Sequence, residues 1–468
     1  MMKRLEYGLI ASIALWMFLI ALGRWLSLGS NAWDLGIFTQ FSWMLSHGYL
    51  MDSASLTGWP ALADHASFIL LPISFVYQFW RSSAFLLTIQ VCALVGASFA
   101  LIQLAKVAGV SQKFSRLILF AYFAQPVLWN TAWFDFHPDS LFPLIVLLFL
   151  LQVKIGRYRL AGFLCAALLT IRETSVLVIA GLSLSFWIEG KRRLSVFLAS
   201  VAMGWTIFLS LFWYPLFFSE GHHNEGSYAH LKQLWPSIHH ATFHVDQLAQ
   251  VFKETSLASA PLFFIGLVIP WLIFLGTKSL PWITGSFVIL TPLALSSNAN
   301  QVSLDYHYGM MIAPFLAAGS IEVASGSDFL KRQLRLTSAR RIFLSAAVFN
   351  LLIHLNFNPG WLLFWRDPIP FIQYQEYLSN IPVDYRVLAS NGLTSHLANR
   401  RHVDFVAKSS AVQEFPEKFD MLILNKTDPG FGSSSEQVAS LIELAEQSGW
   451  TCSEKSVIHL SIQECLDR

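Results

Sequence analysis

Residues 83–105 read SAFLLTIQVCALVGASFALIQLA, twenty-three positions without one charged side chain. An α-helix advances about 1.5 Å per residue, and about 20 apolar residues cross the hydrocarbon layer of a bilayer. Inside that layer the backbone must satisfy its own hydrogen bonds, so such a stretch is a transmembrane helix. Ten further stretches have the same character: 8–28, 116–133, 139–153, 160–171, 174–189, 194–218, 257–276, 280–297, 309–325 and 342–356. Those at 139–153 and 160–171 are short and require neighbours or a local break. The segment 66–80, ASFILLPISFVYQFW, is apolar but interrupted by Pro72, and reads as a half-inserted helix on the outer side.

The whole chain agrees with that stretch. Of 468 residues, 54% are hydrophobic and 13% charged, against about 25% charged in soluble domains. Mean hydropathy is +0.51. These values exclude a disordered, fibrous or ordinary soluble protein. A net charge of +2 excludes a strongly basic nucleic-acid binder, so no nucleic acid partner is expected. Four cysteines are too few for a disulfide scaffold and lack zinc-ribbon spacing. Cys92 and Cys165 read as buried span residues. Cys452 and Cys465 could pair if adjacent strands bring them together.

Charge divides the chain. Residues 1–356 hold 22 Lys and Arg against 15 Asp and Glu, while residues 357–468 hold 9 against 14 in less than a third of the length. The expected fold class is therefore mainly α: a polytopic transmembrane helical bundle of about 11 spans over 1–356, with outer loops 29–82 and 219–256. A small α/β domain follows over 357–468. Basic residues favour the cytoplasmic side. With Lys3 and Arg4 inside, 17 of the 22 basic residues of the membrane body fall inside, eleven of its acids fall outside, and all 14 histidines of the chain lie outside. The expected location is the inner membrane, with a cytoplasmic N-terminus, a retained signal anchor and an extracytoplasmic C-terminal domain. Any chemistry is extracytoplasmic.

The outer loops carry the candidate residues. Asp34 follows the first span directly, where a carboxylate is costly unless paired or hydrated. It could equally cap a helix over 35–46, with Trp33, Phe38, Phe41 and Trp43 laying that stretch on the membrane surface. In W133-F-D-F-H-P-D139, alternation along an extended segment puts Asp135, His137 and Asp139 on one side, a donor set suited to Mn, Mg or Zn. The competing reading is a hydrated turn in which Pro138 starts the next helix. Arg172-Glu173 lies between two short spans, where a guanidinium suits a phosphate and a self-paired connector is the alternative. Loop 219–256 gathers Glu220, His222, His223, Glu225, His230, His239, His240 and His244, and is long enough for a functional lid. In D305-Y-H-Y308, the tyrosines fit an aromatic belt and His307 sits at the outer surface.

In the C-terminal region, 384–390, 402–406, 419–424 and 456–462 read as strands and 435–448 as an amphipathic helix ended by Gly449. No G-x-G-x-x-G or P-loop is present, so nucleotide binding has no support.

The ordered motifs WDLGIFTQ (33–40), ADH (63–65), FDFHP (134–138), RET (172–174), DYHYG (305–309), RVLASNGLTSHLANR (386–400) and FDMLILN (419–425) resemble the polytopic membrane proteins of domain-of-unknown-function family 2079. The resemblance runs from about residue 30 to 465. That family is similar in layout to GT-C glycosyltransferases, which use polyprenyl-phosphate sugars and an acidic residue just after the first span. The resemblance implies a GT-C-like fold and an integral-membrane glycosyltransferase moving a sugar from a polyprenyl-phosphate donor to an extracytoplasmic acceptor, with membrane lipid as a partner. It implies catalysis by Asp34 and Glu173, substrate binding by Arg172, His65, His307 and Tyr308, and a divalent metal, Mg or Mn, on Asp64, Asp135 and His137. Arg172-Glu173-Thr174 stands where the family usually has Lys-Glu-acid/amide, a departure that weakens a metal role there. The alternative class is a non-enzymatic transporter or lipid-binding membrane protein. Transporters often show internal repeats and midplane charges, whereas this chain has no clear repeat and its polar groups cluster near span ends.

Overall fold

The computed structural model describes residues 4–218, 228, 251–326, 337–357, 359–407, 415, 417–457 and 460–466. The histidines of loop 219–256 and the basic residues 331–335 lie outside the described residues. The chain is mainly helical, with a small sheet near its C-terminus.

Among the described residues six helices are long and apolar enough to cross a membrane: Glu6–Leu26, Ser83–Val107, Arg192–Leu216, Ser256–Phe274, Thr277–Leu295 and His307–Gly326. The remaining apolar stretches are helical but shorter, among them Phe142–Lys154, Tyr158–Ile171, Ser175–Ile188 and Arg341–His354. The stretch 116–133 is two helices, Gln112–Phe123 and Pro126–Trp133. Pro126 has no amide to donate and disfavours helical backbone before it, so the helix stops at Ala124. By length and composition alone, six helices among the described residues qualify as spans.

The helical break is compensated by side chains. Trp129 Nε1 donates to Phe123 O at 2.7 Å, and Gln125 Nε2 donates to Leu267 O at 2.7 Å. Buried Asn130 donates to Leu304 O and His354 O and accepts from the Asn356 amide. Each bond satisfies a backbone group that apolar surroundings would otherwise leave bare.

The chain forms two compact units. The first comprises Met1–Cys92, Ala132–His137 and Phe357–Arg468; the second comprises Ala93–Thr131 and Pro138–Asn356.

In the first unit, the helix Ile37–Ser46 is buried from Ile37 to Met44. Phe38, Phe41 and Trp43 are core residues, with Phe38 edge-on to Phe136 at 5.6 Å, and only Trp33 is exposed. The expected surface-lying aromatic stripe is thus an internal contact: hydrophobicity alone does not distinguish lipid from protein as the apolar partner. Around Pro72 the chain forms the helix Leu70–Tyr77, which exposes Leu71, Phe75 and Val76.

The C-terminal sheet orders its strands β2-β1-β3-β5-β4, with β1 Val387–Ala389, β2 Val403–Phe405, β3 Met421–Asn425, β4 Thr451–Val457 and β5 Leu460–Leu466. β1 pairs in parallel with β2 and β3, whereas β5 is antiparallel to β3 and β4. The helix Ser435–Gln447 packs Val438, Leu441 and Ala445 into a core with Leu388, Leu422 and Trp450. A Ser434–Gln437 capping box opens it, and Gly449 follows its end at φ +83°. The expected single strand at 456–462 falls on the end of β4 and the start of β5. β4 escapes a hydrophobic reading because it is an edge strand, exposed over most of its length.

Hairpin register places Cys452 opposite Cys465, and the two form a disulfide. Cys165 is buried as expected, but Cys92 is exposed on its helix. Alkylation of the unreduced, denatured protein is expected to label two of the four cysteines. Replacing Cys452 and Cys465 by Ser should destabilise the domain by about 2–3 kcal/mol, the value for closing a loop of this size, measured by chemical denaturation.

Candidate functional site

The first unit gathers a polar junction where the first span ends. Arg24 Nη1 lies 2.6 Å from Asp135 Oδ1, both side chains buried, and the Asn31 amide donates to Asp135 Oδ2 at 2.7 Å. The guanidinium also faces the rings of Trp133 and Phe134 at 5.5 and 5.1 Å. Between these anchors the chain turns sharply. Leu28 has φ +64°, a conformation that costs a branched side chain energy and recurs at functional sites. A π-helical turn, Ala32–Gly36, follows and carries Asp34, partly buried. Such turns are rare and are frequent at functional sites.

The motif SNGLTSHL docks on this turn. Asn391 Oδ1 accepts from the Ala32 amide, and Asn391 Nδ2 donates to Phe431 O. Gly392 comes so close to Leu28 O that a Cβ there would collide with it. The His396 ring stacks on Trp25 at 4.7 Å and hydrogen-bonds Trp25 O through Nε2 at 3.0 Å. Burial pushes His396 down to about 4, against the weaker opposing effect of that hydrogen bond.

The second unit brings four ionisable groups together. The helix Tyr158–Ile171 ends at Arg172, whose backbone is extended, and the helix Ser175–Ile188 begins three residues later. That break turns Arg172 Nη1 to within 3.4 Å of Asp139 Oδ2 and Nε to within 3.4 Å of Glu173 Oε1. His307 Nε2 lies 3.3 Å from the same Asp139 oxygen. The Asp139 side chain is fully buried, and those of Arg172 and His307 nearly so. Tyr308 packs its ring on His307 at 4.3 Å.

Arg172, Glu173, His307 and Tyr308 therefore meet as one group, although they are far apart in sequence. Asp139 is at its centre; from sequence it reads as part of a ligand run or as the start of a helix. Its signal was present as a carboxylate two residues beyond His137. The expected alternation of Asp135, His137 and Asp139 ends at Pro138, which opens the 3₁₀ turn Pro138–Leu141. Asp135 instead belongs to the Arg24 junction. His137 is buried, edge-on to Phe38 at 5.2 Å, with its amide held by Gln90 Oε1. Asp64 ends the short helix Ala61–Asp64, and His65 follows it; both are half-buried. Arg24, Asn391 and His396 were not singled out as candidate groups from sequence. A divalent metal on Asp64, Asp135 and His137 would have to share Asp135 with a guanidinium already 2.6 Å from one oxygen and an amide on the other, a poor arrangement for a second cation.

These features define a polytopic helical membrane protein with buried ionic groups at the ends of its short helices. The chain belongs to the family described as Predicted membrane protein (DUF2079), whose model matches residues 24–457. The family expected from the sequence motifs is thereby borne out. No curated protein matches the chain. Among solved structures, the chain is similar to ArnT from Cupriavidus metallidurans in the apo state. Identity is 12%, coverage is 98% of this chain and 97% of that one, and the TM-score is 0.49. It is likewise similar to the same protein bound to undecaprenyl phosphate, at 12% identity, 99% and 98% coverage and a TM-score of 0.47.

Two outcomes follow from this geometry. Asp139→Ala removes the fully buried carboxylate beside Arg172 and His307 and is expected to cost about 3–5 kcal/mol, whereas breaking the more exposed Lys154–Glu322 pair with Lys154→Met should cost about 1 kcal/mol or less; thermal unfolding in detergent compares them. His396 is neutral when folded and titrates near its ordinary value when unfolded. Acidification from about 6.5 to about 4 therefore protonates the unfolded chain first and lowers stability across that window. His396→Gln should flatten the slope of unfolding free energy against pH there.

Proposed function

We propose that the chain is an inverting membrane glycosyltransferase that moves a sugar from a polyprenyl phosphate to an extracytoplasmic acceptor. The observation that carries this reading is the buried Asp139–Arg172–Glu173–His307 group in a membrane-embedded unit. Ionisable groups at such depth are expensive and are retained for function. A planar guanidinium is suited to a phosphate, which it grips through two parallel hydrogen bonds. Asp139 is fully enclosed and holds Arg172 in place, while Glu173, the more exposed partner at 23%, is the contact a phosphate would replace.

In this reading Asp34 takes the proton from the acceptor hydroxyl. The hydroxyl oxygen attacks the anomeric carbon, the bond from that carbon to the phosphate oxygen breaks, and polyprenyl phosphate leaves with that bonding pair. Placement of Asp34 on a π-helical turn after a strained residue supports a functional rather than a capping role. His307 and Tyr308, in the same unit as Arg172, contact substrate, and Glu173 tunes the charge at Arg172. The extracytoplasmic side is supported by the distribution of Lys and Arg and by the Cys452–Cys465 disulfide, a bond of oxidising compartments.

Purified protein incubated with radiolabelled polyprenyl-phosphate sugars and cell-envelope lipid acceptors tests the reading. Asp34→Asn is expected to lower transfer about 10²–10⁴-fold, the usual contribution of a general base, with the unfolding temperature unchanged. An Asp34→Asn protein retaining full transfer removes the assigned base, and absence of transfer from any such donor by the wild type removes the reading.

A further inference from the structure

The same helices that carry the buried ionic group end, at their other termini, around a cavity of about 1070 Å³ within the second unit. Phe142–Lys154 starts just after Asp139 and finishes at Lys154 on the cavity wall. Tyr158–Ile171 starts on the wall and finishes before Arg172. Ser175–Ile188 starts after Glu173 and leads to wall residues Gly190–Arg193. The span His307–Gly326 starts at His307 and carries Glu322 of the wall near its end. Helices of 13–14 residues are about 20 Å long, so the cavity is a separate place from the ionic group.

Its chemistry is amphiphilic. Four cations, Lys154, Lys191, Arg192 and Arg193, line it. Lys154 is paired with Glu322 at 2.9 Å and Lys191 with Glu189 at 2.7 Å. Arg192 faces only the Trp187 ring, at 5.6 Å, and neither Arg192 nor Arg193 meets a carboxylate among the described residues. Both arginines open the helix Arg192–Phe208, whose first amides and dipole favour an anion. The rest of the wall is apolar and aromatic, including Phe149, Phe186, Phe197 and Trp282. Phe163, Trp187, Val196 and Phe197 are half or more exposed on the same helices, as groups facing acyl chains are.

We propose that this cavity binds an anionic phospholipid from the leaflet on the Lys/Arg-rich side. Its phosphate sits at Arg192 and Arg193, and its acyl chains run along the aromatic wall. A soluble phosphate would use the two arginines but not the apolar volume. A zwitterionic lipid would use the volume but not the excess positive charge. Basic pockets between membrane helices recognise lipid headgroups in this way. The proposal is independent of the transferase reading and leaves Asp34 and Arg172 untouched.

The experiment uses the full chain, delipidated in detergent and examined by native mass spectrometry with added phosphatidylglycerol or phosphatidylcholine. Phosphatidylglycerol is expected to be retained in preference. The double variant Arg192→Gln, Arg193→Gln should lose about tenfold or more of that preference. Gly162 lines the cavity, and a Cβ there meets nothing within 4 Å. Gly162→Phe should therefore fill the cavity and lower retention to the same degree with the unfolding temperature preserved, which keeps the test valid if the arginine variant folds poorly. Millimolar inorganic phosphate should leave retention unchanged. Equal retention of phosphatidylcholine, displacement by inorganic phosphate, or undiminished retention in a folded Gly162→Phe protein each overturn the proposal.

Discussion

Every backbone N–H and C=O placed in apolar surroundings must find a partner within the protein, and the architecture of this chain depends on how that requirement is met. Continuous helices meet it without help. Where Pro126 interrupts one, Trp129 bonds Phe123 O at the end of the preceding helix, while Gln125 and Asn130 satisfy Leu267 O and Leu304 O of neighbouring segments. Asn350 does the same for Gly266 O at 3.0 Å. The polar side chains scattered through apolar stretches are thus structural connectors, and their presence allows the short and broken helices that leave ionisable groups at helix ends.

Charge burial follows the same logic with higher stakes. A single carboxylate or guanidinium in apolar surroundings is costly, whereas a closely fitted set neutralises itself. Among the described residues there is one such set in each unit. Asp135 is satisfied by Arg24 and the Asn31 amide, and this pair fixes the turn that carries Asp34. Asp139 Oδ2 faces both Arg172 and His307. The first set is rigid on both carboxylate oxygens and acts as an anchor. In the second, the longer 3.4 Å contacts and the partly exposed Glu173 leave room for a ligand to exchange with a protein group.

The C-terminal domain takes part in the first unit rather than standing beside it. Asn391, Gly392 and His396 all contact residues 25–32, at the end of the first span. A strained Leu28 persists because these contacts, together with the Arg24–Asp135 pair, hold the backbone on both sides. A domain that reads in sequence as a soluble appendage is therefore the support of the turn that presents Asp34.

The sequence by itself determined that this is a polytopic helical membrane protein with a charge-rich α/β tail, and it placed nearly every apolar helix, because composition and hydrophobic length are local properties that hydrocarbon reads directly. It also singled out Arg172 and Glu173 as a charged pair between spans, but set His307 at the outer surface, whereas the structure buries it. Local pattern could not show that Pro126 splits a span, that Phe38 and Phe41 face protein rather than lipid, or that an exposed edge strand pairs with Leu460–Leu466. Nor could it separate Asp135 from Asp139. Four residues apart in one motif, they go to different partners, Arg24 in one case and Arg172 with His307 in the other. Only the tertiary structure decided this, because which buried charge neutralises which depends on helix ends 33 or more residues apart in the chain meeting within a few ångströms, a distance that no local spacing encodes.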